Sequence, residues 1–198
     1  MLPALVSPVA RPNFIASGWR SDRSYRGEGA WHEGIDFRAK VGDPAYAVMD
    51  GVVKYSLLDP GPAGQMIVIE SPSGLMARYM HLSRRDVAAG QQVRQGQLIG
   101  LTGATGITSS EAHLHFDLRM VPAQLGAYVA QYGTPMGGFG RNLSGGIAVP
   151  AEPLVPADGY APSVTAGAAR YGVALYKAGF GILGLLLAGA LAWFYFRR

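Results

Sequence analysis

The 198-residue sequence has no cysteine. That excludes a disulfide framework and any metal site built on thiolates, and it leaves the redox compartment open. Charge is scarce as well: Asp, Glu, Lys and Arg make up 15% of the chain, too few for a disordered polyampholyte. The net charge of +4 is spread rather than banded, with Arg84-Arg85 and Arg197-Arg198 as its basic doublets, so no nucleic-acid partner is expected. Residues 1–12 hold Pro3, Pro8 and Pro12 and lack the basic stretch and long apolar core of a secretory leader. They read as an N-terminal arm. Between residues 13 and 121 no helical period of useful length occurs.

What is present favours short strands. Glycine (28) and proline (13) are abundant and mark turns. Apolar runs at residues 14–19, 35–37, 45–55, 66–70, 75–80, 98–102 and 113–120 are divided by turn clusters such as Asp59-Pro60-Gly61-Pro62 and Ser71-Pro72-Ser73-Gly74. This predicts an all-β domain over residues 13–121, a compact antiparallel sheet or sandwich. Residues 122–168 repeat Pro and Gly and read as a linker, with a short helix over 125–132. The last segment, 169–198, contains a run from 178 to 196 with no charge, followed by Arg197-Arg198 and preceded by Lys177. About 20 apolar residues suffice to cross a bilayer, and aromatics and arginines at the end suit the interface. A single transmembrane anchor is expected there.

The four histidines fall in three short motifs. In His113-Leu114-His115-Phe116 a strand period of two places both imidazoles on one face and the apolar pair on the other. Upstream stand His32-Glu33-Gly34-Ile35-Asp36 and Tyr79-Met80-His81-Leu82. Catalytic zinc takes three ligands from His, Asp and Glu and keeps one position for water. His32, Asp36 and one of His113 or His115 form such a set, provided that the backbone bends at Gly34. Asp117 and Glu33 read as surface acids that are also within reach of orienting a ligand imidazole. Tyr79 and Trp31 belong equally well to a groove wall or a core, and Ser109, Ser110 and Glu111 to a solvated loop. A biotinyl or lipoyl carrier barrel is excluded, because Val48-Met49-Asp50-Gly51 at the corresponding hairpin tip has no lysine.

His-x-x-x-Asp, Tyr-x-His-Leu and His-x-His-Phe, in that order, resemble the motifs of the lysostaphin-type zinc endopeptidases of family M23. The resemblance covers residues 14–120 and includes Ser17-Gly18-Trp19-Arg20, Gly103-Ala104-Thr105-Gly106, and Val93, Gly96, Gln97 and Ile99. It departs before the final motif, where Ile107 to Ala112 replace a small Gly- or Pro-containing turn. The resemblance implies a β-sheet domain with one zinc ion in a long groove, cutting peptide bonds of peptidoglycan. It further implies His32, Asp36 and His115 as zinc ligands, and His81 and His113 as catalytic histidines, one a general base and the other an oxyanion donor in either order. A catalytically silent, wall-binding module of the same fold is the alternative; the complete ligand set weighs against it. An anchor without a leader leads to the expectation of a phage membrane or virion, with a bacterial inner membrane facing the periplasm as the second location.

Overall fold

The structure, a computed structural model, describes residues 2–21, 31–106, 111–135, 139–140, 142–143 and 146–159. In chain order the strands are β1 (Ile15–Ser17), β2 (Ile35–Arg38), β3 (Pro44–Tyr46), β4 (Gly51–Asp59), β5 (Gly64–Glu70), β6 (Met76–Leu82), β7 (Arg84–Arg85), β8 (Gln92–Val93), β9 (Leu98–Leu101) and β10 (His113–Met120). Helix α1 (Pro122–Tyr132) follows, then β11 (Asn142–Leu143) and β12 (Gly146–Val149). The main sheet runs β1-β2-β10-β6-β5-β4-β8, and β3-β9-β7 form a smaller one.

Strand β10 organises the sheet. One edge pairs with β6, while the other is shared by β2 along its first half and β12 along its second. Its core face carries Leu114, Phe116, Leu118 and Met120, all wholly buried. Each such side chain contributes about 1.5–3 kcal/mol by leaving water. Phe116 meets Tyr79 of β6 edge to face at 5.3 Å, and the Tyr79 hydroxyl accepts the Val48 amide at 2.8 Å. Tyr79 is therefore core and lines no groove. The opposite face of β10 carries His113, His115, Asp117 and Arg119, as the two-residue period requires.

Several expected boundaries shift. The run 45–55 is broken between β3 and β4, because Ala47, Val48 and Met49 turn into the core. Residues 1–12 were expected as an arm, but Leu5 and Val9 are buried, Val6 donates to the Val48 carbonyl at 3.0 Å, and Val9 bridges Ala45. The described part of the expected linker is likewise folded. Helix α1 begins at Pro122, where a missing N–H and a preset φ cost nothing. Strand β12 pairs with β10 through Leu118↔Val149, Arg119↔Ala148 and Met120↔Ile147, and Ala151, Leu154 and Val155 are buried in the core. Prolines here end strands and turn the chain; they do not keep it from packing. Among the described residues no helix is long and apolar enough to cross a membrane. The run 178–196 lies outside the described residues.

Cutting the chain after residue 121 strips β12 from β10 and removes Ala151, Leu154 and Val155 from the core. Such a fragment is expected to show no cooperative thermal transition by calorimetry, whereas a chain ending at residue 159 melts cooperatively.

Candidate metal centre

Three donor atoms meet where β2, β10 and the turn before β2 converge. Register sets His115 opposite Asp36, and His32 approaches from the turn. His115 Nδ1 lies 2.9 Å from Asp36 Oδ1 and 3.0 Å from His32 Nε2, and His32 Nε2 lies 3.1 Å from Asp36 Oδ1. Ligands about 2.0–2.1 Å from a tetrahedral zinc stand about 3.3 Å apart, so this triangle fits one small cation capping it, with an open fourth position. Gly34 permits the convergence by close approach: a Cβ there would sit 2.7 Å from the Phe116 carbonyl and 2.9 Å from the His115 ring.

Each imidazole has its tautomer set by the backbone or by an acid. His32 donates Nδ1–H to the Gly18 carbonyl at 2.9 Å, freeing Nε2 for a metal. His115 turns Nε2 toward Asp117 Oδ2 at 3.4 Å, freeing Nδ1. His81 and His113 donate Nδ1–H to the Thr105 and Glu111 carbonyls, each at 2.8 Å. His113 Nε2 is 3.8 Å from Asp36 Oδ1, and the His81 and His113 rings lie 4.7 Å apart. His81 takes a left-handed φ of 63°, a conformation that costs a non-glycine residue of order 1–3 kcal/mol and collects at functional sites. Gly106, at φ 94° and with no room for a Cβ beside the Pro62 carbonyl, shapes the turn that offers the Thr105 carbonyl.

The electrostatics are those of a cation site. Burial opposes the charge of Asp36, yet the His32 and His115 imidazoles hold it well below the usual carboxylate range. Burial also opposes a charged His115, but Asp117 and Asp36 raise it to about 9. At neutral pH a proton therefore occupies the place where a metal would bind, and a cation must displace it. His81 goes the other way: burial lowers it to about 4, so it stays neutral.

All five expected side chains thus lie in one cluster: His32, Asp36 and His115 with donor atoms in contact, and His81 and His113 beside them. Asp117 departs from its reading as a surface acid. It is wholly buried and held far below the usual range, against burial, by Arg78, His115 and Arg119. Arg78 contacts it through Nε–Oδ1 at 2.9 Å and Nη2–Oδ2 at 2.7 Å. Arg119 Nε stands 3.2 Å from Asp117 Oδ1, with Nη2 3.7 Å from Glu33 Oε2. Glu33 is likewise largely buried. The alternation continuing from His115 through Asp117 to Arg119 was the signal for this; nothing local marked Arg78. Trp31, beside His32, is 46% exposed. Ser109 and Ser110 lie outside the described residues, and Glu111 takes part through its carbonyl.

A family model described as peptidase family M23 matches residues 30–129. Peptidoglycan DD-endopeptidase ShyA of Vibrio cholerae is 44% identical over 87 residues, which cover 44% of this chain and 20% of ShyA. This chain therefore corresponds to about a fifth of that relative's length. The crystal structure of a zinc containing peptidase from Vibrio cholerae is similar with a TM-score of 0.54 and 37% identity, over 59% of this chain and 36% of that one. A variant of the catalytic domain of the prophage-encoded M23 protein EnpA from Enterococcus faecalis gives 0.52 and 28%, over 59% of this chain and 88% of that one.

Replacing Asp117 by Asn removes the carboxylate that orients His115. Zinc affinity, read by competition with a chromophoric chelator, is expected to fall about 10–100-fold.

Proposed function

This chain belongs to peptidase family M23, and we propose that it is a zinc-dependent endopeptidase that hydrolyses peptide bonds of bacterial peptidoglycan. The observation that carries the reading is the triangle of His32 Nε2, Asp36 Oδ1 and His115 Nδ1, with two further imidazoles alongside. The complete set supports an enzyme over a silent wall-binding module. The likeness to a peptidoglycan endopeptidase supports the substrate class.

His32, Asp36 and His115 would hold the zinc, which when bound acidifies a water and polarises the scissile carbonyl. Glu33 follows His32 as the base follows the first ligand in the His-Glu-x-x-His proteases, but its carboxylate lies toward Arg119 at 3.7 Å, so imidazoles move the proton. His81 is neutral down to about pH 4 and commits Nδ1–H to Thr105, which leaves Nε2 as an acceptor. It takes the proton of the nucleophile and returns it to the leaving amine. A group that stays neutral in this way is unsuited to act as an imidazolium donor. The oxyanion falls to His113, whose side chain is 20% exposed and stands beside His81 with ring centroids 4.7 Å apart, where an imidazole N–H stabilises the developing charge. Trp31 adjoins the site as an apolar surface for the substrate strand.

The charge-free run 178–196 supports a single-pass anchor. With such an anchor we take a phage membrane or virion as its setting; the alternative is a bacterial inner membrane facing the periplasm. Fractionation decides: the chain in purified particles is the expected result, and its confinement to host envelopes overturns the phage setting.

The full chain, held in mild detergent, is expected to release peptides with new amino termini from purified peptidoglycan, identified by mass. A chelator abolishes the release and zinc restores it. His81→Ala is expected to keep one zinc per chain while lowering kcat at least about 10²-fold. Zinc loss equal to that of His115→Ala would refute this division of roles. A folded, zinc-loaded chain that releases nothing from several wall types returns the silent module.

A further inference from the structure

Both imidazole ligands need a partner on the nitrogen that faces away from the metal. For His115 that partner is the Asp117 carboxylate. For His32 it is the Gly18 carbonyl at 2.9 Å, and the peptide group that owns this carbonyl also owns the Trp19 N–H. That N–H donates to Glu152 Oε1 at 2.6 Å, shorter than the usual range for an amide donor and in keeping with an ionised acceptor.

We infer that Glu152 is a positioning residue for the metal ligand His32, acting through the Gly18–Trp19 peptide. The inference rests on the zinc reading of the site. A trans peptide is a planar resonance system whose C=O and N–H point in opposite directions. A carboxylate on the N–H side drives electron density toward the oxygen, and hydrogen bonds in series strengthen one another in a low-dielectric interior. The Gly18 oxygen becomes a better acceptor, the His32 Nδ1–H is held more firmly, and Nε2 becomes a stronger donor to the cation. Each imidazole ligand is then backed by a buried carboxylate, His115 directly and His32 one peptide away.

Glu152 is placed for this by the segment after β12. It is 3% exposed and sits in a turn where the Leu154 and Val155 amides both donate to the Ala151 carbonyl, at 3.0 and 2.9 Å. Ala151, Leu154 and Val155 lock that turn into the core, and the Tyr128 hydroxyl of α1 donates to the Pro150 carbonyl at 3.2 Å. The same segment is fastened again farther on: Asp158 Oδ2 accepts the Asn13 amide at 2.6 Å, and Ile15 N–H donates to the Gly159 carbonyl at 2.8 Å. Glu152 lies beyond the residues that the family model matches, so a segment outside the matched domain tunes a ligand inside it.

The test compares the full-length wild type, Glu152→Gln and Asp158→Ala in detergent. Zinc affinity is read by chelator competition, and the thermal midpoint is read on the metal-free chains. Gln can still accept the Trp19 amide but carries no charge. Glu152→Gln is expected to weaken zinc about ten-fold with little change in midpoint. Asp158→Ala, which loosens the segment elsewhere, is expected to lower the midpoint and leave affinity within about two-fold. A second readout is the proton spectrum of metal-free, histidine-labelled chains, which hold four histidines: the His32 Nδ1–H resonance should move upfield in Glu152→Gln. Equal zinc affinity in wild type and Glu152→Gln overturns the inference. Equal weakening by both variants overturns it too, because docking of the segment would then be the cause. Should Glu152→Gln not fold, the wild-type Trp19 amide decides, far downfield in support and at an ordinary position against. A wild type that takes up no zinc refutes the zinc reading itself, and the spectra then judge the relay alone.

Discussion

The candidate metal centre depends on one register. Across the antiparallel pair of β2 and β10, His115 stands opposite Asp36 and Leu114 opposite Phe37. A slip of β10 by one residue would send His115 into the core, away from Asp36, and bring Leu114 out to the groove. The apolar face of β10 forbids that slip, since Leu114, Phe116, Leu118 and Met120 are all wholly buried. Hydrophobic burial, which has no chemical role of its own, thus sets the position of the donor atoms to within a hydrogen-bond length.

Around that register the protein buries a large amount of charge. Asp36, Asp117, Arg119 and Glu152 are all nearly or wholly inaccessible. Isolated buried ions cost several kcal/mol each, and removing one member of a buried pair costs about 3–5 kcal/mol. The arrangement offsets this by alternation of sign: Asp117 lies between Arg78 and Arg119, and Arg119 reaches on toward Glu33. Asp36 is held in another way. Its charge is held by two imidazoles, which is the arrangement of a site made to exchange a proton for a cation.

The histidine cluster was legible because strand alternation and motif order are local properties. His113 and His115 had to share a face, and the length of β10 follows the apolar run that bounds it. Asp117 was legible in principle, being on the same face, but burial is not a local property: β6 brings Arg78 against it and β12 covers the edge beside it. The described residues after 121 pack against the core where a linker is expected, for a related reason. Proline and glycine report where backbone turns, and say nothing about whether the turned chain lies against a core.

By itself the sequence determined most of the longer strands between residues 13 and 121, the face on which the imidazoles lie and the donor chemistry, because each follows from residue type and a spacing of a few positions. Only the tertiary structure decided which histidine nitrogens meet Asp36 at the candidate metal centre and which carboxylates stand behind them. Those contacts join positions as distant in the chain as Trp19 and Glu152, and a pairing across that separation exists only once the sheet has closed and the following segment has packed on it.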